Sequence, residues 1–227
     1  MILIFDLDDT LYEEITFVIS GFKEVAKFMN FEHQINENKS IKLMKNSLKR
    51  NGRGKIFDDL LEANNLYSKK MLKKCISIYR THKPNINLSK SAELILSNWK
   101  NKIYLVTDGN KLVQANKIKA LKINQFFKKI YITHNYGLNK AKPSPYCFDL
   151  IRKEEKCRWE DLIYVGDNPA KDFVSLNLLG SVTIRVLTGS YSKKEANKGY
   201  DATYSINNLN KLETLIKKIE EIKEKKN

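Results

Sequence analysis

Carboxylate side chains follow two short hydrophobic segments of the sequence, at the point where each segment ends. Asp6 and Asp8 come directly after Ile2–Phe5, and Asp167 follows Leu162–Val165 after a single glycine. Asp6 and Asp8 are two residues apart, so in an extended chain their side chains leave the backbone on the same side. Two carboxylates held close together cannot both ionise cheaply. One of them can then act as a nucleophile while the other carries a proton for a leaving group.

A hydroxyl and a lysine stand in comparable positions elsewhere in the chain. Thr107-Asp108-Gly109 follows another hydrophobic segment. Thr107 supplies a hydroxyl, and Asp108 and Gly109 supply backbone amides at the start of a predicted helix, which together are typical of a phosphate-binding site. Lys142 comes just before Ser144, which we expect to cap the next helix. Its position therefore predicts a cation near a helix N-terminus.

The acidic residues near Asp167 favour a metal site. Asn168 is expected to cap a helix with Pro169 as its first residue, which would place Asp172 one turn into that helix. Together with the two carboxylates that follow the first segment, these oxygens suit Mg²⁺. That ion prefers a few carboxylates, a backbone carbonyl, several waters and a substrate phosphate.

Each of these motifs also has a purely structural explanation. An Asp-rich turn can cap the following helix. Asp172 can satisfy a helix dipole, and Thr107-Asp108-Gly109 can be an ordinary strand-to-helix turn. Taken together, the motifs favour a functional site over these structural explanations, because each follows a predicted strand. In an open parallel sheet, ligands bind beyond the carboxyl ends of the strands.

The elements that must position these residues alternate along the chain. Short apolar segments rich in Ile, Val and Tyr are separated by helical patterns, which is typical of parallel strands covered on both faces. The alternation predicts an α/β fold with a doubly wound parallel sheet. The predicted strands are Ile2–Phe5, Lys102–Val106, Lys129–Thr133, Leu162–Val165 and Ser181–Val186. The predicted helices of this part cover residues 89–100, 111–122, 145–155 and 169–178, with an amphipathic helix over residues 209–222.

Residues 13–87 interrupt this alternation. Their hydrophobic spacing is helical throughout and contains no convincing strand, which predicts a small all-helical domain inserted after the first strand. The predicted core domain then comprises residues 1–12 and 88–227. The four helical patterns of the insert lie near residues 13–30, 37–50, 55–65 and 68–80.

The charge of the chain does not by itself indicate a nucleic-acid partner. The 227 residues include 41 Lys and Arg against 26 Asp and Glu, a formal net charge of +15. Only 6 of the 41 are arginines, and the lysines are interleaved with acidic residues. A solvated surface explains this pattern better than a site for phosphate backbones. The alternative function outside the enzymes is a basic protein that uses this fold to bind nucleic acid and catalyses no reaction.

Composition excludes several other classes. Hydrophobic residues make up 42% of the chain, with 9 glycines and 4 prolines, which excludes a fibrous or disordered protein. No apolar run is long enough to span a bilayer, and the N-terminus does not resemble a signal peptide. Cys75, Cys147 and Cys157 predict no disulfide framework. We therefore expect a cytoplasmic protein that binds no membrane.

At its motifs the sequence resembles the haloacid dehalogenase superfamily. The residues that match the four signatures of that superfamily, in order, are Asp6-Leu7-Asp8-Asp9-Thr10-Leu11, Thr107-Asp108-Gly109, Lys142-Pro143, and Gly166-Asp167 with Asp172. The resemblance implies a Rossmann-like core and a Mg²⁺-dependent site for phosphoryl transfer. It also implies that the helical insert is the cap domain of the subgroup with an α-helical cap in this position.

The resemblance implies a catalytic role for four of these residues. Asp6 would be the nucleophile, forming an aspartyl-phosphate, and Asp8 would be the general acid and base. Thr107 would bind the transferring phosphoryl group, and Lys142 would neutralise its charge.

The resemblance also implies a ligand set for the metal. Asp6, the backbone carbonyl of Asp8 and Asp167 would hold Mg²⁺. Asp172 would lie outside the direct ligands, holding a water molecule of the metal or orienting Lys142.

These features predict a phosphatase acting on a small phosphorylated metabolite, such as a sugar phosphate or a nucleotide. In the superfamily, members that cleave carbon–halogen or carbon–phosphorus bonds lack the second aspartate, which is present here as Asp8. A phosphomutase keeps both aspartates and stays an alternative. In the insert, Arg53 lies between two glycines and is a candidate contact for a second part of the substrate. A solvated turn is the alternative explanation for that loop.

Overall fold

The computed structural model describes residues 1–99 and 103–225, in which six strands form one parallel sheet. The order of the strands across the sheet is β3-β2-β1-β4-β5-β6. The strands are β1 Ile2–Phe5, β2 Ile103–Thr107, β3 Lys129–Ile132, β4 Leu162–Gly166, β5 Val182–Val186 and β6 Tyr204–Ile206. The α-helices are α1 Glu14–His33, α2 Glu37–Asn51, α3 Ile56–Glu62, α4 Lys69–Thr81, α5 Lys90–Asn98, α6 Lys111–Ala120, α7 Tyr146–Glu155, α8 Val174–Leu178 and α9 Leu212–Glu224.

The central position of β1 determines where the motifs lie. Phe5 pairs with Leu105 of β2 on one side and with Val165 of β4 on the other, and both pairings are parallel. The carboxyl ends of all three strands therefore meet at the same edge of the sheet. Asp6 and Asp167 directly follow β1 and β4, and Thr107 is the last residue of β2.

The strand predictions are confirmed, with small differences at their ends. Lys102, the predicted first residue of the second strand, lies outside the described residues, and β2 continues to Thr107. β3 ends at Ile132 because Thr133 begins a 3-10 turn. Strand β6 has only three residues and is not among the predicted strands.

Most helices begin after their predicted start, and α9, for example, begins at Leu212 instead of residue 209. Pro145 is the cap residue of α7 rather than its first residue, and the Ser144 Oγ accepts from the Tyr146 amide at 3.4 Å. The larger difference is at Asn168, where no regular helix begins and α8 starts only at Val174. In the intervening segment the Asp172 carboxylate accepts from the Asn168 amide at 2.9 Å. This side-chain contact closes a separate turn ahead of the helix.

Residues Ile15–Ile86 form a compact unit distinct from the rest of the chain. It consists almost entirely of α1 to α4, and their apolar faces meet in a core of their own. Helix α4 shows how capping sets the boundaries, since the Ser68 Oγ accepts from the Met71 amide at 3.2 Å. The buried residues of this core are Val18, Phe22, Val25, Ala26, Met29, Met44, Ile56, Leu60, Leu61 and Cys75.

None of the helices in the described part of the chain combines the length and the apolar character needed to cross a lipid bilayer.

Helices α1 and α4 lie close together at Gly21. A Cβ atom at Gly21 would lie 2.4 Å from the Tyr79 ring. That ring is itself packed edge-on against Phe17 and Phe57. We expect Gly21→Ala to lower the free energy of unfolding by about 2 kcal/mol through overpacking. Urea denaturation measures this change.

Gly54→Ala is the matched control, because nothing lies within 4 Å of a Cβ at Gly54. It should leave the free energy of unfolding within about 0.5 kcal/mol of wild type. Equal stability of the two variants would contradict the close packing at Gly21.

Candidate active site

The ammonium of Lys142 lies at the centre of a buried polar cluster. Its Nζ donates to Asp6 Oδ1 and to the Tyr164 hydroxyl, each at 2.8 Å, and lies 2.8 Å from Asp172 Oδ1. The Lys142 side chain is only 1% exposed. An ammonium has three N–H donors, so these three partners use all of them.

Strands β1 and β4 bring the members of this cluster together. Asp6 follows β1 directly, and its amide donates to the Val165 carbonyl of β4 at 2.8 Å. Tyr164 belongs to β4 and is paired in register with Ile4. Strand pairing therefore fixes the backbone positions from which the Asp6 carboxylate and the Tyr164 hydroxyl extend.

Asp172 is held in place from both of its oxygens. Oδ1 faces Lys142, and Oδ2 accepts from the Asn168 amide at 2.9 Å. A Cβ on Gly166 would lie 2.6 Å from Asp172 Oδ2, so glycine at this position makes room for the carboxylate. The family resemblance implies that Asp172 either holds a water molecule of the metal or orients Lys142. The observed contacts fit the second role, because Asp172 Oδ1 lies 2.8 Å from the Lys142 ammonium.

Three buried carboxylates form a candidate metal centre. Asp6, Asp167 and Asp172 each offer an oxygen, and these oxygens all lie within 4.8 Å of one another. Carboxylate oxygens are hard donors that suit Mg²⁺ and similar divalent cations. The donor set therefore fits a divalent cation.

The electrostatics of this centre also fit a cation. Burial raises the pKa of Asp167 to about 9, and the charges of Asp6 and Asp172 add to that effect. Burial raises the pKa of Asp6 to about 7, although the charge of Lys142 opposes it. A bound cation would favour the ionised form of each carboxylate.

Asp8 points to a different set of partners. Its Oδ1 accepts from the Tyr12 hydroxyl at 2.5 Å and from Lys117 Nζ at 2.7 Å, and its Oδ2 accepts from Gln114 Nε2 at 3.0 Å. Burial alone would raise the pKa of Asp8, but Lys117, Tyr12 and Gln114 together hold it below its ordinary value. The two aspartates are therefore distinguished by their partners, and Asp6 is the one with the raised pKa.

Thr107 is connected to Asp8 through Gln114. The Thr107 hydroxyl is fully buried and accepts from Gln114 Nε2 at 2.6 Å. A Cβ on Gly109 would lie 3.2 Å from the Gln114 side chain, and the φ of Gly109 is +137°. Glycine at this position therefore allows the turn after β2 to pass close to Gln114.

The Asp108 side chain joins two of the motifs. Its Oδ1 accepts from the Thr133 hydroxyl at 2.8 Å and from the Lys142 amide at 3.1 Å. Its Oδ2 accepts from Lys171 Nζ at 2.9 Å. Although burial opposes it, the charges of Lys142 and Lys171 hold the pKa of Asp108 below its ordinary value.

Asp9 fastens the first motif to the loop after β5. Its Oδ1 accepts from the Glu14 amide at 2.8 Å, and its Oδ2 accepts from the Ser190 amide at 3.0 Å. Its carbonyl accepts from the Thr188 hydroxyl at 2.5 Å. A Cβ on Gly189 would lie 2.1 Å from the Asp9 carboxyl carbon, so this loop requires glycine.

Comparison with known proteins identifies the family to which this chain belongs. The sequence profile of the haloacid dehalogenase-like hydrolases matches residues 3–186 of the chain. The chain is 31% identical over 228 residues to the glyceraldehyde 3-phosphate phosphatase of Methanocaldococcus jannaschii. That alignment covers 96% of this chain and 97% of the relative. The chain belongs to the haloacid dehalogenase-like hydrolases.

Further relatives agree with this assignment. The glyceraldehyde 3-phosphate phosphatase of Methanopyrus kandleri is 33% identical over 94 residues, which is 41% of this chain and 40% of that protein. Two solved structures with 18% identity share the fold. YfnB of Bacillus subtilis has a TM-score of 0.66 over 94% of this chain and 97% of its own. A phosphatase of Thermococcus onnurineus has a TM-score of 0.58 over 94% of this chain and 96% of its own.

The chain is therefore a hydrolase of this family, and its curated relatives are named as phosphatases, which identifies it as a phosphatase. The predictions of the family, the α/β fold and the enzyme class are confirmed. The structure brings the residues of all four motifs to one edge of the sheet. Arg53 lies instead in the separate helical unit, where it is exposed in the turn between α2 and α3.

Sequence reasoning missed five polar residues of this hydrolase site. Gln114 and Lys117 are three positions apart on α6, so their shared helix face was a usable signal. Lys171 directly precedes Asp172 in the fourth motif and was also detectable. Nothing in an apolar strand or in a turn sequence indicated where the hydroxyls of Tyr164 and Tyr12 would point.

The buried Lys117 should contribute strongly to stability. It is 2% exposed and pairs with Asp8 at 2.7 Å and Glu14 at 3.4 Å. Lys117→Met leaves both carboxylates without this cation, and we expect the free energy of unfolding to fall by about 3 kcal/mol. Urea denaturation measures the loss.

Lys119→Met on the same helix serves as the control, because Lys119 is exposed. Its free energy of unfolding should stay within about 0.5 kcal/mol of wild type. If both variants lost the same stability, the ion pairs of Lys117 would not be responsible.

Proposed function

We propose that this chain is a Mg²⁺-dependent phosphatase that hydrolyses glyceraldehyde 3-phosphate, or a phosphomonoester of similar size, through an aspartyl-phosphate on Asp6. The observation that carries the mechanism is the buried cluster in which Lys142 Nζ lies 2.8 Å from Asp6 Oδ1. The name of the full-length relative in M. jannaschii supports the substrate. YfnB, a structural neighbour, was solved with bound magnesium, which supports the choice of metal.

In the first step, an oxygen of the Asp6 carboxylate attacks the phosphorus and the ester oxygen leaves. Lys142 balances the charge of the phosphoryl group, since its ammonium already lies against the attacking carboxylate. Asp172 and Tyr164 keep that ammonium in position through their contacts with it. The Thr107 hydroxyl accepts from Gln114 and can donate its own hydrogen to a phosphoryl oxygen. Phosphoryl transfer depends mainly on positioning and charge neutralisation, which these groups supply.

Asp8 carries the protons of both steps. In the first step, its protonated form gives a proton to the leaving oxygen and releases an alcohol. In the second step, the Asp8 carboxylate takes a proton from the water that attacks the aspartyl-phosphate. Inorganic phosphate leaves, Asp6 is free again, and Asp8 regains its proton. The contacts with Lys117 and Tyr12 favour the carboxylate form, which suits the second step.

Asp6, Asp167 and the backbone carbonyl of Asp8 would hold the Mg²⁺ ion. When bound, the ion supplies positive charge to the carboxylates and to the phosphate. The raised pKa values of Asp6 and Asp167 support this proposal, because they mark a site that needs additional positive charge.

The helical insert, residues 13–87, is proposed as the cap domain that selects the substrate. Caps exclude water from a phosphoryl-transfer site and can contact the part of the substrate that does not react. Arg53 is the proposed contact within this domain.

Asp6→Asn removes the nucleophile with almost no change in volume. We expect turnover to fall by about 1,000-fold or more, because an amide cannot form the acyl-phosphate. The measurement is phosphate release from glyceraldehyde 3-phosphate and from a panel of sugar phosphates and nucleotides, with Mg²⁺ and with EDTA.

Asp58→Asn is the matched control and should keep near wild-type turnover, since Asp58 lies on α3, outside the cluster. Near wild-type activity of Asp6→Asn would refute the aspartyl-phosphate mechanism. An isomerised ester without stoichiometric phosphate would identify a phosphomutase instead.

Asp167→Asn should weaken Mg²⁺ binding, because it removes one charged ligand. In thermal unfolding, Mg²⁺ should raise the Tm of the wild type by mass action. The variant should need at least about tenfold more Mg²⁺ for the same rise. Asp58→Asn should follow the wild-type curve. An identical Mg²⁺ dependence in wild type and Asp167→Asn would remove Asp167 from the metal site.

A further inference from the structure

Lys142 has no spare hydrogen-bond donor within the described structure. Its three N–H groups face Asp6, Asp172 and Tyr164, each at 2.8 Å, and its side chain is 1% exposed. A phosphoryl group carries several anionic oxygens that need donors. Lys142 can contact one of them only by giving up a present partner, so a second cation would be useful at this site.

Lys171 is placed to be that cation. Its side chain is 33% exposed, and Asp108 is the one partner of its ammonium among the described residues, at 2.9 Å. An ammonium has three donors, so Lys171 can hold Asp108 and still donate to a ligand. Its position directly before Asp172 places it in the fourth motif.

Asp108 fixes the position of Lys171 relative to the phosphate-binding turn. The Asp108 carboxylate is itself held by the Thr133 hydroxyl and the Lys142 amide. Asp108 follows Thr107 directly, so its ion pair ties Lys171 to the turn whose hydroxyl is proposed to bind the phosphoryl group.

We propose that Lys171 is a second phosphate-binding cation of this site, donating to a non-bridging oxygen of the substrate's phosphoryl group while it stays bonded to Asp108. The proposal rests on the proposed function, since it adds a residue to the same site. The ligand chemistry is a phosphomonoester or inorganic phosphate dianion. A charged donor to a phosphate oxygen stabilises both the bound substrate and the transition state.

The competing explanation for the ion pair between Lys171 and Asp108 is a purely structural role. In that case the ion pair would only hold the fourth motif against the second, and the Lys171 charge would never meet a ligand. This explanation expects a loss of stability on substitution with unchanged phosphate affinity. Phosphate affinity therefore separates the two explanations.

The experiment measures binding of inorganic phosphate to the Mg²⁺-saturated enzyme by isothermal titration calorimetry. The variants are Lys171→Met, Lys171→Gln and Lys171→Arg. The glutamine variant keeps a donor for Asp108 but removes the charge, and the arginine variant keeps the charge. Lys153→Met is the matched control, because Lys153 also pairs with an aspartate, Asp149, at 2.7 Å on a helix surface.

We expect Lys171→Met and Lys171→Gln to weaken phosphate binding by about tenfold or more. Lys171→Arg should stay within about threefold of wild type, and Lys153→Met should match wild type. Equal phosphate affinity in Lys171→Gln and Lys153→Met would overturn the proposal. Absence of phosphate binding by the wild type would overturn it as well.

The calorimetry needs no turnover, so it is independent of the proposed activity. A wild type that binds phosphate but hydrolyses no ester would refute the proposed function and leave the Lys171 comparison decisive. In active enzyme, the same loss should lower kcat/KM for p-nitrophenyl phosphate in Lys171→Gln and leave it unchanged in Lys153→Met.

Discussion

A lysine ammonium buried against two carboxylates is the interaction on which this site depends. Taking such charges out of water is costly, and it is tolerated only when every donor and acceptor is matched. Here Lys142 meets Asp6, Asp172 and the Tyr164 hydroxyl at hydrogen-bond distance. Removing any one partner would leave a buried N–H group of the ammonium without an acceptor. The same contacts that hold the fold together therefore also hold the reactive groups in place.

The sheet makes this arrangement possible with little help from the loops. Because β1 lies between β2 and β4, the first residues beyond all three strands are neighbours. Small residues then admit the carboxylates, as Gly166 does for Asp172. Gly189 in the same way leaves room for the Asp9 carboxylate. The strand order therefore determines which residues of the site are neighbours, and side-chain contacts determine their exact positions.

The sequence predicted most of what depends on strands and much less of what depends on side-chain direction. The apolar runs located five strands and, with the motifs, the edge of the sheet that carries the candidate site. The turn at Asn168 was mistaken for a helix start, because a cap residue followed by proline also suits a turn closed by Asp172. Two partners of Asp8, Gln114 and Lys117, lie on one face of α6. Their spacing shows that they share a face, but not that this face packs against Asp8. Such contacts depend on how the helices pack against the sheet, and this packing cannot be read from a single sequence.

The central place of β1 has a consequence for how the chain acquires its structure during synthesis. Leu3 pairs with Ile103 and Ile2 pairs with Leu162, so the first strand to be made is completed only when distant parts of the chain have emerged. Closing such long loops slows folding and leaves apolar strands exposed in the meantime. The helical unit Ile15–Ile86 is continuous in sequence and can form during that interval. The edge of the sheet that carries the candidate site therefore forms late, because it needs β4 in place.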